Sequence, residues 1–314
     1  MSAQGLSSRA IIGEFYATLE QDMGGLWVPQ VSNYFTSDQE AEIYKWLGQS
    51  PAMREWIGGR QAKGFRENGV TITNKEFEAT LEVLVKEMRR DKTGQVMVRV
   101  RELAQRTNAH WAKLLSALVV AGESTVCYDG QYFFDTDHSE GDSGTQSNDL
   151  THDVATPTAP TAGEMENAIL KGVQAILGFK DDQGEPMNEN ARDFLVMTPI
   201  SLMNSVGGAI GANILMDGAS VSRTNTILTL GTLGGFVIRM ATNARLGWTD
   251  KIAIFRTDSE TKAFIRQEEE AVTMSAVAEG SELEFNENKH RYGVKASRNV
   301  GYGYWQRAAL VTLT

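Results

Sequence analysis

The most regular hydrophobic pattern in the chain runs from residue 95 to residue 121. Apolar residues recur there at intervals of three and four with charged residues between them, which is the pattern of an amphipathic helix. About 27 residues at 1.5 Å per residue span on the order of 40 Å, more than a small domain needs. We therefore predict a long helix, called the spine helix below, although an ordinary core helix with a frayed end would show the same pattern. Gly122 is a predicted left-handed terminator, and residues 125–128 predict a strand that turns at Asp129 and Gly130.

Two helices are predicted before the spine helix. Ile11, Phe15 and their neighbours share one helical face, so a first helix is expected to end near Gly24. Ser37 and Glu40 have the spacing of a capping box, which predicts a second helix over 38–47. This segment also contains a dense set of aromatic residues, which we expect to pack on the same subunit or on a neighbour: Trp27, Tyr34, Phe35, Tyr44, Trp46 and Trp56.

Residues 60–90 carry heavy charge of both signs on two predicted strands. The strands, 70–73 and 77–84, are separated by turn-forming residues, and the second alternates apolar and polar positions. A solvated hairpin would show this pattern. A projecting arm that docks on a neighbouring subunit through complementary charges is the functional interpretation.

The second half of the chain predicts a compact α/β lobe followed by strands. A linker rich in Ser, Gly, Thr, Asp and Pro leads to this lobe. In the lobe we predict helices over 163–177 and after Pro199, strands over 193–198 and 251–255, and two strands within 224–240. Further strands are predicted over 263–266, 270–277, 282–285, 291–296 and 304–313. We expect these last strands to pack on the spine helix.

Composition narrows the classes of function. The chain has 314 residues and a net charge of −10, so gripping phosphates through a generally basic surface is not its main activity. A single cysteine, Cys127, excludes an intrachain disulfide and fits a reducing compartment. No run of about 18 apolar residues and no signal-peptide pattern occurs, so neither a membrane partner nor secretion is expected.

One stretch concentrates potential catalytic side chains. Asp135, Asp137 and His138 could hold a divalent cation that activates water, as in a metal-dependent hydrolase. The spacing matches no known metal motif, and short acidic residues also stabilise turns. The chain lacks the sequence motifs of phosphate loops, nucleophile elbows and zinc sites. We therefore predict no catalytic residue, no cofactor and no metal, and the protein is expected not to be an enzyme.

Three motifs in order resemble the major head subunits of Mu-like transposable bacteriophages. They are WLGQSPAMREWIGGR at 46–60, NKEFEATLEV at 74–83 and YDGQYFFDTDH at 128–138, with looser similarity over the whole chain. The resemblance implies an α+β protein with the HK97-like major capsid fold. It also implies a structural protein that self-assembles into the icosahedral head of a tailed bacteriophage and encloses double-stranded DNA without specific binding.

The resemblance implies residue ranges for the regions of the subunit. It implies an N-terminal arm at 1–55, an extended E-loop at 56–91, a peripheral domain at 92–160 with its C-terminal strands at 258–314, and an axial domain at 161–257. Contacts between subunits are then expected at residues of the arm and the E-loop: Arg60, Lys63, Arg66, Lys75, Glu76, Trp27, Tyr34 and Phe35.

Partners and alternatives follow from the same resemblance. The expected partners are further copies of the chain in hexamers and pentamers, together with portal, scaffold and decoration proteins. The virion is the expected location, after assembly in the host cytoplasm. No scaffolding segment is visible before Ser2, so scaffold is expected to be a separate protein, and no lysine crosslink is predicted. The alternatives are an encapsulin-like nanocompartment shell and the metal-dependent hydrolase centred on Asp135, Asp137 and His138.

Overall fold

The computed structural model describes residues 7–21, 25–44, 69–91, 94–217 and 221–314. The helices are α1 (Ser8–Gln21), α2 (Val28–Val31), α3 (Val85–Arg90), α4 (Gln95–Val120), α5 (Ala162–Gly178), α6 (Met203–Gly211), α7 (Thr226–Gly234) and α8 (Glu282–Glu287). The strands are β1 (Ser32–Thr36), β2 (Ala41–Tyr44), β3 (Val70–Thr73), β4 (Lys75–Leu84), β5 (Asp149–His152), β6 (Asp193–Thr198), β7 (Ile214–Asp217), β8 (Val221–Thr224), β9 (Val237–Thr242), β10 (Lys251–Arg256), β11 (Phe264–Val277), β12 (Lys289–Tyr302) and β13 (Ala308–Leu313). Helices and largely antiparallel sheets are both present, which confirms the α+β class.

The predicted spine helix is α4, and its bounds agree with the prediction to within one residue. At its start, the carboxylate of Asp91 accepts hydrogen bonds from the backbone N–H groups of Gln95 and Val96, each at 2.9 Å. Those donors have no partner inside the helix, so an anion at this position stabilises the first turn. At its end, Gly122 has an ordinary backbone conformation, so the prediction of a left-handed terminator is wrong. A Cβ there would lie 2.6 Å from the Phe134 ring, so glycine is required by close packing instead.

One half of the spine helix lies against a four-stranded sheet with the order β1-β11-β12-β4. Strand β1 runs parallel to β11, and the other neighbours are antiparallel. Helix α1 packs beside α4, and together they contribute Ile11, Phe15, Val96 and Val100 to a core that continues into β4, β11 and β12. The expectation that C-terminal strands pack on the spine helix is confirmed for this sheet.

The other half of the spine helix joins the core of a five-stranded sheet with the order β5-β13-β10-β6-β9. Leu115 and Val119 of α4 belong to this core, as do the apolar faces of α5 and α6. Strands β6 and β10 are buried along nearly their whole length, as their unbroken apolar sequences predict. The last strand, β13, pairs with β10 and β5 in this sheet, so the C-terminal segment contributes to both sheets.

Four predicted elements differ in the structure, and three of them have a local physical cause. Residues 41–44 form strand β2 instead of a helix, because they pair with β3 and bury Tyr44. Residues 226–234 form α7 instead of a strand, because Asn225 caps the helix by accepting from the backbone N–H groups of Ile227 and Leu228. Residues 282–287 form the short helix α8, which the Ser281 side chain caps in the same way. The predicted strand at 125–128 is reduced to a single bridge between Val126 and Tyr132.

Candidate assembly surfaces

The predicted contact residues of the arm lie on or beside β1, one edge of the four-stranded sheet. Tyr34 is 45% exposed, and the Arg266 guanidinium lies 5.3 Å from the centre of its ring. Its hydroxyl donates to the Glu268 carboxylate. Burial, followed by this hydrogen bond, raises the pKa of Tyr34 to about 12. Tyr34 is therefore held in one orientation by its own subunit while part of its ring faces outward.

The two other aromatic residues are more enclosed. Trp27 is 9% exposed and belongs to the main hydrophobic core, so nearly all of its surface is used inside the subunit. Phe35 is partly buried, and its ring lies 5.5 Å from that of Tyr44. The aromatic residues of this segment that the structure describes therefore pack on the same subunit, one of the two outcomes expected for them, whereas Trp46 and Trp56 lie outside the described residues.

Lys75 and Glu76 lie at the start of β4, the opposite edge of the same sheet. They pair across the strands with Arg298 and Ser297. The Glu76 carboxylate lies 2.9 Å from the Lys295 ammonium, and this contact and a second with Glu270 raise the pKa of Lys295. Glu76 stays 74% exposed, so this charge network faces solvent. The other predicted contact residues, Arg60, Lys63 and Arg66, lie outside the described residues.

The potential metal ligands predicted from the sequence do not come together as expected. The carboxylate of Asp135 accepts from the backbone N–H groups of Tyr132 and Thr136 and so closes a turn. Asp137 is exposed. His138 is fully buried and bonds instead to Asp129, with its Nδ1 atom 2.7 Å from a carboxylate oxygen. In the described part of the chain, the group that could hold a metal is Cys127, Asp129 and His138.

Hydrogen bonds connect the members of the Cys127–Asp129–His138 group to one another and to Asn148. The Cys127 thiol donates to Asp129 at 3.0 Å, and the second imidazole nitrogen lies 3.2 Å from the side-chain oxygen of Asn148. Asn148 donates through its amide nitrogen to the carbonyls of Phe133 and Trp305, so its oxygen faces the imidazole. Both imidazole nitrogens therefore lie within hydrogen-bond distance of a side-chain oxygen.

The electrostatics of this group favour a structural role. Burial alone raises the pKa of Asp129, but hydrogen bonds from His138 and Cys127 outweigh burial, and the pKa lies below its ordinary value. Burial and the Asp129 charge raise the pKa of the Cys127 thiol above its ordinary range, so the thiolate needed for nucleophilic attack is suppressed. The His138 ring stacks on Trp305 with 3.9 Å between the ring centres. Cys127, Asp129 and His138 therefore hold the turn after the spine helix against Trp305, which lies between β12 and β13.

An ion pair with a buried carboxylate, which the sequence did not predict, connects α5 to the β7–β8 hairpin of the α/β lobe. Glu166 of α5 is fully buried. It contacts the Arg223 guanidinium of β8 and accepts a hydrogen bond from the backbone N–H of Thr226, the first residue of α7. In the sequence, Glu166 is a charged residue among the apolar positions of the predicted helix, and this could have indicated a buried ion pair. The sequence does not identify its partner, because Arg223 is 57 positions away.

The surface beside this ion pair exposes large apolar side chains. In the β7–β8 hairpin, Ile214 is 65% and Met216 is 54% exposed. Leu233 of α7 is 82% exposed. In a different part of the subunit, at the end of the four-stranded sheet, Phe285 of α8 between β11 and β12 is 87% exposed. Exposed apolar side chains of this size are typical of protein contact surfaces. Among the described residues, no helix combines the length and apolar character needed to cross a membrane.

Comparison with solved structures shows the same fold in shell proteins. The chain superposes on a subunit of the procapsid of bacteriophage JBD30 with a TM-score of 0.55 and 24% identity, covering 98% of this chain and 76% of that chain. It superposes on the capsid subunit of cyanophage P-SCSP1u with a TM-score of 0.55 and 10% identity, covering 92% and 88%. For a virus-like particle from Pyrococcus furiosus, the TM-score is 0.51, the identity 7% and the coverage 97% and 98%. These similarities confirm the predicted HK97-like fold.

Two proteins of known sequence and one family model match this chain. The chain is 34% identical over 112 residues to the Mu-like prophage FluMu major head subunit of Haemophilus influenzae, which is 36% of each chain. It is 29% identical over 109 residues to the major capsid protein of Escherichia phage Mu, covering 35% of this chain and 36% of that protein. These alignments span about a third of the length of the two relatives. The family model described as "Mu-like prophage major head subunit gpT" matches residues 9–159 and 240–313. Because this match includes most of the chain, the protein belongs to the Mu-like prophage major head subunit family.

Proposed function

We propose that this protein is the repeating subunit of an icosahedral phage head that encloses double-stranded DNA. The family match over both ends of the chain carries the proposal. Copies of the chain would form hexamers and pentamers, because a closed shell of identical subunits requires rotational symmetry at each vertex and face. The role is structural and depends on contacts between subunits, not on catalysis, a metal or a cofactor.

We also propose which parts of the chain form each region of the subunit. We assign residues 1–55 to an arm and 56–91 to an E-loop. The peripheral domain comprises 92–160 and 258–314, and the axial domain comprises 161–257. The elements α5, α6, α7, β6, β9 and β10, which form the α/β lobe within 161–257, support the axial assignment, and the sheet of this lobe is completed by β5 and β13 from the peripheral ranges. The axial domain would meet its copies around the symmetry axes, where the exposed apolar residues of the β7–β8 hairpin and α7 favour association.

Contacts between neighbouring subunits are proposed at the two edges of the four-stranded sheet and at the loop between β2 and β3. Tyr34 and Phe35 belong to one edge, with Trp27 beside it, and Lys75 and Glu76 to the other. Arg60, Lys63 and Arg66 complete the proposed set. Their positions support this proposal because, among the described strands, β1 and β4 each have one sheet neighbour, and an edge strand can pair with another chain.

A cellular nanocompartment is the second candidate function. The similarity to the virus-like particle from Pyrococcus furiosus favours it, because the two chains match over nearly their full lengths. The two functions differ in their contents, which are DNA for a phage head and a cargo protein for a nanocompartment. The ratio of ultraviolet absorbance at 260 and 280 nm, measured on particles purified from the producing cell, separates them.

The phage-head proposal also includes partners and location. Portal, scaffold and decoration proteins would bind the shell, which would assemble in the host cytoplasm and remain in the virion. The match to a family of head subunits supports these assignments.

Light scattering on the purified chain tests the proposed assembly. We expect the mean mass to rise with protein concentration from single subunits or capsomers to particles of several megadaltons. Replacing Glu76 and Lys75 with alanine should move this transition to higher concentration, because the replaced side chains lie on an exposed sheet edge. Alanine at exposed Asp137 is the control and should leave the transition unchanged. A wild-type mass that stays at one subunit at all concentrations would contradict the proposal.

A further inference from the structure

The spine helix and the residues before it carry positive charge in an otherwise acidic chain. Residues 85–120 contain eight basic and three acidic side chains, a net charge of +5 in a chain whose total is −10. Charge separation of this kind creates a local field that attracts anions even when the whole molecule is acidic.

Three of these basic residues form a stripe on one face of α4. Arg99, Arg106 and Lys113 are spaced seven residues apart, so they lie within about 40° of one another around the helix and about 10 Å apart along it. All three side chains are exposed, and the stripe lies beside the packed face of the helix, with Arg99 about 60° around the axis from buried Val96 and about 100° from buried Val100. We call these three residues the basic stripe.

The charges of the basic stripe are largely available to a partner. In the described part of the chain, Arg99 and Lys113 make no ion pair. Arg106 contacts Glu102 at 2.6 Å, with the two side chains 77% and 53% exposed. An exposed pair of this kind is weak, so a phosphate can replace the glutamate. By comparison, Arg101 points to another face and pairs with Glu14 of α1.

We propose that the basic stripe contacts the phosphates of double-stranded DNA, an inference that rests on the proposed function as a DNA-filled shell. Residues interleaved with the stripe, such as Ala109 and Glu102, supply no large apolar anchor of the kind that dominates protein interfaces. Exposed Arg and Lys side chains in a row suit a contact with the DNA backbone, which is independent of base sequence. The acidic remainder of the subunit keeps this contact weak, so the DNA is held without being fixed.

Fluorescence anisotropy with a labelled 20-base-pair duplex tests the contact on unassembled full-length protein. The variant R99Q/R106Q/K113Q should bind at least about tenfold more weakly than wild type at 50 mM salt. The slope of log affinity against log salt should fall by about 2 to 3, since up to three phosphate contacts are lost. Each single glutamine variant should have about a third of this effect on the slope, which covers the case of a triple variant that fails to fold.

The matched control is K171Q/K180Q/R239Q, which removes three exposed positive charges from the α/β lobe. It should bind DNA like the wild type apart from a small uniform loss. Equal affinities for the stripe variants and the control would overturn the inference.

Shell formation is scored separately by electron microscopy. Stripe variants that bind DNA normally but form no shells would show a subunit contact instead and also overturn it, whereas a wild type that forms no shells would contradict the proposed function.

Discussion

Asp129 connects the side chains that fix the turn after the spine helix. Its carboxylate accepts hydrogen bonds from Cys127, His138 and the backbone N–H of Gln131. The aspartate is 2% exposed and the imidazole fully buried, so solvent does not replace these bonds when one partner is removed. The acidic stretch that resembled a metal site is therefore a structural network.

Replacing Asp129 with asparagine should lower the free energy of unfolding at pH 7 by about 2 kcal/mol, the typical value of a hydrogen bond to a charged group. Because the pKa of Asp129 is lower in the folded protein than in the unfolded chain, its contribution is present above the unfolded pKa of about 4. It is lost as the pH falls through the lower folded pKa. Urea unfolding across this pH range should show the difference between variant and wild type shrinking in acid.

Asp137→Asn is the control for this experiment, because it changes an exposed carboxylate in the same turn. It should shift the free energy of unfolding by less than about 0.5 kcal/mol. A D129N variant as stable as wild type at pH 7 would show that the network contributes nothing to folding.

At the residue scale, the sequence predicted chemical types better than partners. Cys127 lies among apolar and β-branched residues in the sequence, and its thiol is buried in the structure. The sequence grouped His138 with the adjacent Asp137, but the chain reverses at Gly130 and brings Asp129 to the imidazole instead. Pairing between side chains nine positions apart depends on the path of the turn, which residue types alone do not determine.

At the scale of elements, the Glu166–Arg223 pair connects α5 to the β7–β8 hairpin and to α7. Glu166→Gln removes the buried negative charge but keeps the size of the side chain. Removing one partner of a buried ion pair costs about 3 kcal/mol or more. We expect hydrogen exchange to accelerate at least about tenfold over 221–234, with little change in β6 and β10.

Glu189→Gln is the matched control, because Glu189 is exposed. It should leave exchange over 221–234 unchanged. Equal protection in the Glu166 variant and the wild type would mean that other contacts position the hairpin.

The loop between β2 and β3 gives a second prediction at this scale. Reversing the charges at Arg60, Lys63 and Arg66 to glutamate should impair assembly while the subunit stays folded, because the loop is proposed to dock through complementary charges. Circular dichroism checks the fold, and electron microscopy counts the particles. Reversal at Lys171, Lys180 and Arg239 controls for the change in net charge, and normal shells from the loop variant would show that the loop does not dock in this way.

Long periodic elements were predictable from the sequence, and short ones were not. Helices α4 and α5 and strands β6 and β10 match their predictions, because the pattern of apolar residues is consistent along the whole of each element. The wrong predictions concern segments of about ten residues or fewer. The capping pattern at Ser37 instead closes a turn, in which the hydroxyl accepts from the backbone N–H of Gln39, and pairing with β3 decides the conformation that follows. Tertiary pairing outweighs local propensity in such segments.

At the scale of the whole molecule, the length of the spine helix is explained by the two cores along it. One core covers its first half with α1 and the four-stranded sheet, and the other covers its second half with the five-stranded sheet. The α+β class and the resemblance to head subunits were reached from sequence patterns. The pairing of β13 with β10 in the five-stranded sheet was not predicted, because the local hydrophobic period of a strand does not identify a distant pairing partner.

Electron cryomicroscopy of particles formed by the purified chain tests the central claim most directly. We predict closed icosahedral shells in which the lobe formed by residues 161–257 surrounds the five-fold and six-fold positions and the spine helix runs between neighbouring axes. Particles without icosahedral symmetry, or a chain that remains a single folded subunit under all assembly conditions, would contradict the account.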